Sequence, residues 1–309
     1  MASREVRVAV VGAGSLGIHH ARVYHELAGE ARLVAVVDVD AEARRRCAER
    51  FRVRVAAAMS EVLDDVDAVS LVTPTALHHR MGLEILRAGR HLLVEKPITT
   101  DVAGADELIA AARERGLVLQ VGHIEWFNPA VREVRTRLRR PRIVQAVRAG
   151  RFDPRIADVG VVLDLMIHDI DIVQALLGCM PETVEAHTAR VRSGHEDIAF
   201  ARLGFPSGCL CDLVASRISP DRLRRLSVYQ DGEQLSADLV SRTVRITPIG
   251  NGAGGRSDSL LSCDGEEPLK AEVRQFLAAV RGERTPDVTG QRARDAVATA
   301  RRILDACAA

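Results

Sequence analysis

The β-branched run Val6-Arg7-Val8-Ala9-Val10-Val11 breaks directly into Gly12-Ala13-Gly14-Ser15-Leu16-Gly17 and then into the helix-compatible stretch His19 to Leu27. Strand, glycine turn and helix in that order form the opening of a dinucleotide-binding βαβ unit. Gly12 permits the tight turn, Gly14 removes the Cβ that would block a pyrophosphate, and Gly17 lets the helix lie close on the strand. The helix start, at Ser15 and Leu16, offers free N–H groups to phosphates. Asp38 follows Gly17 by twenty-one residues, at the end of the next strand, Leu33 to Val37. An acid there hydrogen-bonds the adenosine ribose and repels a 2′-phosphate, so NAD is expected rather than NADP. Asp40 is its competitor. Arg44 to Arg46 could hold a 2′-phosphate, but they fall in a helical pattern and read as a solvated face.

Short apolar runs continue the sheet at Val53 to Val55, Ala68 to Val72, His91 to Val94 and Val118 to Val121. In a doubly wound sheet, ligands sit beyond the carboxyl ends of the strands. That rule puts Thr73-Pro74-Thr75, with His78 in the following helix, and Glu95-Lys96-Pro97 on the same rim as the glycine turn. Gly12, Gly14, Ser15, Leu16, Gly17, Asp38, Thr73, Pro74, His78, Glu95 and Lys96 form the expected cofactor-binding set. Lys96 stands out further, because only it and Lys270 among forty-three basic residues are lysine. Arginine keeps its proton near neutral pH whereas a desolvated lysine can lose it, so a lysine kept in an arginine-rich chain points to chemistry. Six strands by Val121 complete one domain, 1–122, and leave 123–309 for a second.

The charges nearly cancel, at +1 with a sequence pI of 7.7. This argues against a nucleic-acid or anionic-membrane partner. The six cysteines show no zinc-type pairing, so no metal site is expected. Cys209 and Cys211 share one strand face and read as buried small residues. No signal peptide and no apolar run of spanning length are visible, so a cytoplasmic location is expected.

In the second half, Asn128 beside Trp126-Phe127 and Pro129 reads either as a donor to a substrate hydroxyl or as a turn residue. Val161 to Leu177 is apolar except at Asp164, His168, Asp169, Asp171 and Gln174, which predicts a helix buried nearly all round. Asp164, His168 and Asp171 follow i, i+4, i+7 spacing and form one polar stripe. A buried titratable stripe of this kind faces a site or belongs to a satisfied network, and the isolated lysine favours the site. Alternation at Thr183 to Val191, Ile198 to Leu203, Cys209 to Ala215, Leu226 to Gln230 and Thr243 to Ile246 predicts antiparallel strands. Asn251 to Gly255 reads as a hairpin tip, and Glu272 to Val280 and Arg292 to Ala306 as helices. The fold class is α/β: a Rossmann sheet followed by an α+β domain on a mostly antiparallel open sheet.

The order and spacing of Gly12-x-Gly14-x-x-Gly17, Thr73-Pro74-Thr75 with His78, Glu95-Lys96-Pro97 and Asp164-x-x-x-His168 resemble the Gfo/Idh/MocA oxidoreductase family over nearly the whole chain. The resemblance implies that the open sheet is large and makes oligomer contacts, as a homodimer or homotetramer. It also implies that Lys96, Asp164 and His168 are catalytic, with Lys96, Asn128 and His168 touching substrate. Gly122 to Ala130 and Asp164 to Asp171 look most like members that oxidise the 3-hydroxyl of UDP-N-acetylglucosamine. Oxidation of inositol or a free sugar, and a noncatalytic NAD-binding sensor, are the rival expectations. Arg148 and Arg151 are candidates for a diphosphate.

Overall fold

A computed structural model describes residues 4–153, 159–249 and 257–307. The chain forms two compact units, one taking the residues up to His123 and then Leu269–Arg294, the other Ile124–Pro268 and the residues from Asp295 on.

The first unit is a six-stranded parallel sheet in the order β3-β2-β1-β4-β5-β6. Its strands are β1 (Val6–Val11), β2 (Ala31–Val37), β3 (Arg54–Ala56), β4 (Ala68–Leu71), β5 (His91–Glu95) and β6 (Leu119–Gly122). Four helices alternate with them: α1 (Gly17–Glu26), α2 (Ala41–Phe51), α3 (Thr75–Arg87) and α4 (Val102–Glu114). Every residue of β4 and β6 is buried, as expected for parallel strands covered on both faces. Strand order reverses between β1 and β4, so Gly12 and Thr73 leave the sheet on either side of the switch point where such folds bind ligands.

The second unit opens with α5 (Pro129–Arg137) and carries α6 (Ile167–Leu177) against an eight-stranded sheet. That sheet comprises β7 (Pro141–Ala149), β8 (Thr183–Ala189), β9 (Ile198–Gly204), β10 (Leu210–Ser216), β11 (Leu223–Gln230), β12 (Glu233–Asp238), β13 (Thr243–Pro248) and β14 (Ser259–Ser262). Its order is β14-β13-β12-β11-β7-β10-β9-β8, antiparallel except for β7 beside β10. In β7, Val144, Ala146 and Arg148 are buried while Ile143 and Gln145 are exposed. One face is thus covered and the other carries Ile143, Phe200 and Leu210 at 41%, 49% and 45% exposure. The expected tip at Asn251 to Gly255 lies outside the described residues.

Two features depart from the sequence reading. The stretch Leu269–Arg294 returns to the first unit, whereas a linear division at 122 assigns it to the second. Within the first unit α7 (Pro268–Val280) is tied by Lys270 Nζ to Glu26 Oε2 at 3.4 Å, Arg274 Nε to Glu30 Oε1 at 2.9 Å and Gln120 Nε2 to the Glu272 carbonyl at 3.1 Å. Val288 and Thr289, just before α8 (Gly290–Ala306), pair with Val121 and Gln120. The physical reason is that β6 is an edge strand, and its open backbone groups need partners. The second departure is in the buried helix, which is not regular. Val162–Met166 form a π-helical turn, with Ile167 N–H donating to the Val162 carbonyl, before α6 begins. An apolar stretch buried on all sides has no solvent face to fix one register, and the added residue re-aims every side chain after it. Among the described residues no helix is long and apolar enough to cross a membrane.

Candidate active site

The glycine turn has the shape its residues imply. Gly12 sits at φ 95°, and a Cβ there would stand 2.3 Å from the Val72 carbonyl oxygen. A Cβ on Gly17 would stand 1.8 Å from the Gly12 oxygen. Both are glycine for steric reasons. Gly14 differs, because nothing lies within 4 Å of its missing Cβ, and Gly14, Ser15 and Leu16 are exposed. The amino terminus of α1 carries no side-chain cap and no acid in its first turn, so its partial positive charge is left for an anion. Asp38 Oδ2 accepts from Ala13 N–H at 2.6 Å and Oδ1 from Asp40 N–H at 2.8 Å, which holds the acid against the turn. Arg44 donates to the Asp38 and Val39 carbonyls, and Arg45 and Arg46 pair with Glu42. The open cradle at Gly14, the uncapped helix end and the fixed acid fit a dinucleotide with a free ribose 2′-hydroxyl.

Beyond β5, Lys96 is half-buried while its neighbours Glu95 and Pro97 are buried. The turn is braced on both sides. Glu95 Oε2 accepts from Lys96 N–H at 3.1 Å, and its Oε1 lies 3.1 Å from His20 Nε2 on α1. Gly122 has no side chain because the Glu95 carboxylate fills that space, 2.6 Å from where a Cβ would stand. His78 Nδ1 faces the Pro97 carbonyl at 2.9 Å and Nε2 the Thr73 carbonyl at 2.8 Å. His78 thus clamps the turns after β4 and β5 together, and Glu95 braces Lys96 from within. Both belong to the expected cofactor-binding set, and their side chains are hydrogen-bonded within the protein.

Asp164 and His168 belong to the second unit, in the π turn and α6, and are 6% and 9% exposed. A charged network anchors that segment. Arg148 on β7, 1% exposed, donates from Nε and Nη2 to the Asp169 carboxylate at 3.0 and 2.8 Å and from Nη1 to Glu125 Oε1 at 2.9 Å. Arg224 on β11, opposite Arg148 in register, donates to the same Glu125 oxygen at 2.7 Å. Burial alone would lower the Arg148 pKa, but Asp169 and Glu125 push it up, so the guanidinium stays charged. Asp169 follows His168 directly, so the pair to β7 also fixes where His168 stands.

This network overturns one expectation. Arg148 has no freedom to meet a diphosphate, and Arg151 Nε is bonded to the Pro220 carbonyl. Asn128 is likewise engaged: Oδ1 accepts from Ala130 N–H, and Nδ2 donates to Glu125 Oε2 and the Leu239 carbonyl. It caps α5 and is 3% exposed, the turn role rather than the substrate role. Cys209 and Cys211 are buried free thiols, as their strand spacing implies.

The sequence reading missed His20, Glu272 and Glu125. A signal for two of them exists. His20 stands one turn after Gly17 on the buried face with Ala21 and Tyr24, and Glu272 is an acid within the apolar stripe Leu269, Val273, Phe276. A polar residue in an apolar stripe marks a buried network.

Comparison with known proteins extends these observations. The oxidoreductase family model GFO_IDH_MocA, with an NAD-binding Rossmann fold, matches residues 6–123, and the GFO/IDH/MocA C-terminal domain matches 130–235. UDP-N-acetylglucosamine 3-dehydrogenase of Acidithiobacillus ferrooxidans is 34% identical over 303 residues, covering 96% of each chain. A solved structure of that enzyme superposes with a TM-score of 0.91 over 98% of each chain at 33% identity. The scyllo-inositol 2-dehydrogenase (NAD(+)) of Bacillus subtilis is 29% identical, covering 92% of this chain and 89% of its own.

Proposed function

The chain belongs to the GFO/IDH/MocA oxidoreductase family, and from that premise we propose that it is an NAD-dependent dehydrogenase oxidising a secondary hydroxyl of a sugar. The substrate class supported best is UDP-N-acetylglucosamine, oxidised at its 3-hydroxyl to the 3-keto sugar that an aminotransferase can take up. Such a reaction serves lipid A or surface-polysaccharide synthesis. The observation that carries the dehydrogenase reading is Lys96, which emerges half-buried at the carboxyl end of β5 in the unit that holds the open glycine turn. The full-length likeness to the Acidithiobacillus ferrooxidans enzyme supports the substrate.

NAD, when bound, supplies the hydride acceptor. Gly12 to Gly17 with the start of α1 would hold its pyrophosphate, and Asp38 its adenosine ribose. Lys96, Asp164 and His168 form the proposed catalytic group. His168 takes the hydroxyl proton, since imidazole has an intrinsic pKa near neutral. Lys96 donates a hydrogen bond to the oxygen on which negative charge develops, and Asp164 orients the imidazole. The exposed face of the eight-stranded sheet, with Ile143, Phe200 and Leu210, is proposed as the contact between copies in a homodimer or homotetramer. A cytoplasmic location fits a nucleotide-sugar substrate.

Incubating the protein and NAD with a panel of UDP-sugars and polyols while following NADH absorbance tests this reading. Turnover of UDP-N-acetylglucosamine is expected. Turnover of a polyol with none of any UDP-sugar would replace the substrate class with the inositol-type alternative, which the Bacillus subtilis relative represents. No turnover of any compound, with NAD bound, would favour a noncatalytic NAD-binding protein.

A further inference from the structure

The π turn that carries Asp164 needs something to hold its extra residue, because the largely apolar segment around it has no solvent face to set one register. Polar contacts pin the segment at both ends. At the far end Asp169 is fixed to β7 by Arg148. At the near end the chain enters through Val159, Gly160 and Val161, and the pins there come from the ends of two strands. They are Glu196, just before β9, and Arg217, just after β10.

Glu196 meets the turn with backbone and side chain together. Its carbonyl accepts from Val161 N–H at 2.9 Å, and its Oε1 from Val162 N–H at 3.2 Å. The N–H groups at a helix start have no partner inside the helix, and the helix dipole favours a carboxylate beside them. The carboxylate reaches them by lying where a side chain of residue 160 would stand, since a Cβ on Gly160 would come 2.0 Å from Glu196 Cδ. The Gly160 carbonyl in turn accepts from Asp164 N–H at 3.0 Å. Glu196 is itself held in place. Its neighbour Asp197 is buried and accepts through Oδ2 from the N–H groups of Val191, Arg192 and Ser193 at 2.7, 2.6 and 3.0 Å, and through Oδ1 from Arg217 Nε at 2.9 Å. Arg217 Nη1 continues to the Val159 carbonyl at 2.9 Å. One buried ion pair therefore ties the loop that presents Glu196 to the chain that enters the turn.

We propose that Glu196 is a positioning residue for Asp164: seated against Gly160, it pins the start of the π turn, so that the extra residue stays trapped between Val162 and Asp169 and Asp164 keeps its angle to His168. With the near end released, the turn can close to a regular helix. Losing one residue from the turn rotates every side chain before it by about 100° relative to α6, which carries Asp164 away from its place beside the His168 stripe. The bearing on catalysis rests on the proposed dehydrogenase reading; the pinning of the turn does not.

Three variants of the whole protein test the assignment. Glu196→Ala removes the acceptor, Glu196→Gln keeps an oxygen for Val162 N–H, and Gly160→Ala leaves Glu196 in the chain but crowds its carboxylate off the turn. Amide hydrogen exchange is expected to quicken by about tenfold at Val162 to Met166 in the two alanine variants and to keep its wild-type rate from Ile172 to Leu177. In steady-state oxidation with NAD, both alanine variants are expected to lose about tenfold in kcat with KM and NAD affinity within about threefold of wild type, and Glu196→Gln to recover most of that loss. Unchanged exchange at the turn in Glu196→Ala, unchanged kcat despite faster exchange, or a Gln variant no better than Ala would each overturn the assignment. So would faster exchange through all of α6, the mark of a support for the whole helix. Exchange is read without turnover, so a wild type that oxidises no substrate overturns the dehydrogenase reading while exchange still decides whether Glu196 holds the turn.

Discussion

Each unit holds a pair of neighbouring buried carboxylates, and the groups that meet the two pairs differ. In the second unit Glu125 and Asp169 meet Arg148 and Arg224, which stay charged at any physiological pH. In the first unit Glu95 and Glu272 gather with His20, whose Nε2 lies 3.1 Å from Glu95 Oε1. Permanent cations make a rigid strut, here joining β7 to α6 and thereby holding the segment that carries His168. The first unit's pair has an imidazole in place of arginines, and Glu95 also accepts from the backbone N–H of Lys96. The difference suggests a division of labour, with one network fixing a helix and the other setting the field around a reacting group.

The contrast can be broken by substitution. Arg148→Met leaves two buried carboxylates without their main partner, and loss of about 3–5 kcal/mol of unfolding free energy is expected, measured by denaturant titration. His20→Gln keeps a side-chain amide that can donate to Glu95, and about 1–2 kcal/mol is expected. Equal losses at the two sites would erase the distinction between the arginine strut and the imidazole support. A smaller effect separates the networks by pH. Burial pushes the Glu125 carboxyl up, but Arg148 and Arg224 pull it net below its ordinary value. A depressed carboxyl contributes stability that is present above its unfolded pKa and is lost as pH falls through the lower folded value. The stability gap between wild type and Glu125→Gln is therefore expected at pH 7 and should narrow below about pH 4. A gap that stayed constant on acidification would show that Glu125 contributes through packing instead.

The first unit was legible because its grammar is local: β-branched runs, glycines at fixed offsets and an acid at the next strand end all act on near neighbours. Lys96 was found by composition and by its place at a strand end. The central strand of the second sheet, β7, escaped because Arg148 interrupts its apolar alternation; this charge, a candidate for a diphosphate by sequence, is 1% exposed and is neutralised by partners distant in sequence. β12 escaped for a similar reason, as Glu233, Gln234, Ser236 and Asp238 mask its two buried residues, Leu235 and Ala237. The return of α7 follows from an edge strand needing cover, a requirement no local pattern expresses. Residues expected to face ligands by position alone, Asn128 and His78, were engaged by the protein because a buried polar group takes the nearest available partner.

The most direct test of the Lys96-centred site is Lys96→Met, read by steady-state oxidation of UDP-N-acetylglucosamine alongside NAD calorimetry. A fall in kcat of about a thousandfold, with NAD affinity within about threefold of wild type, is expected for a cation that stabilises the developing alkoxide. Full turnover by a variant that binds NAD normally would contradict the role given to Lys96.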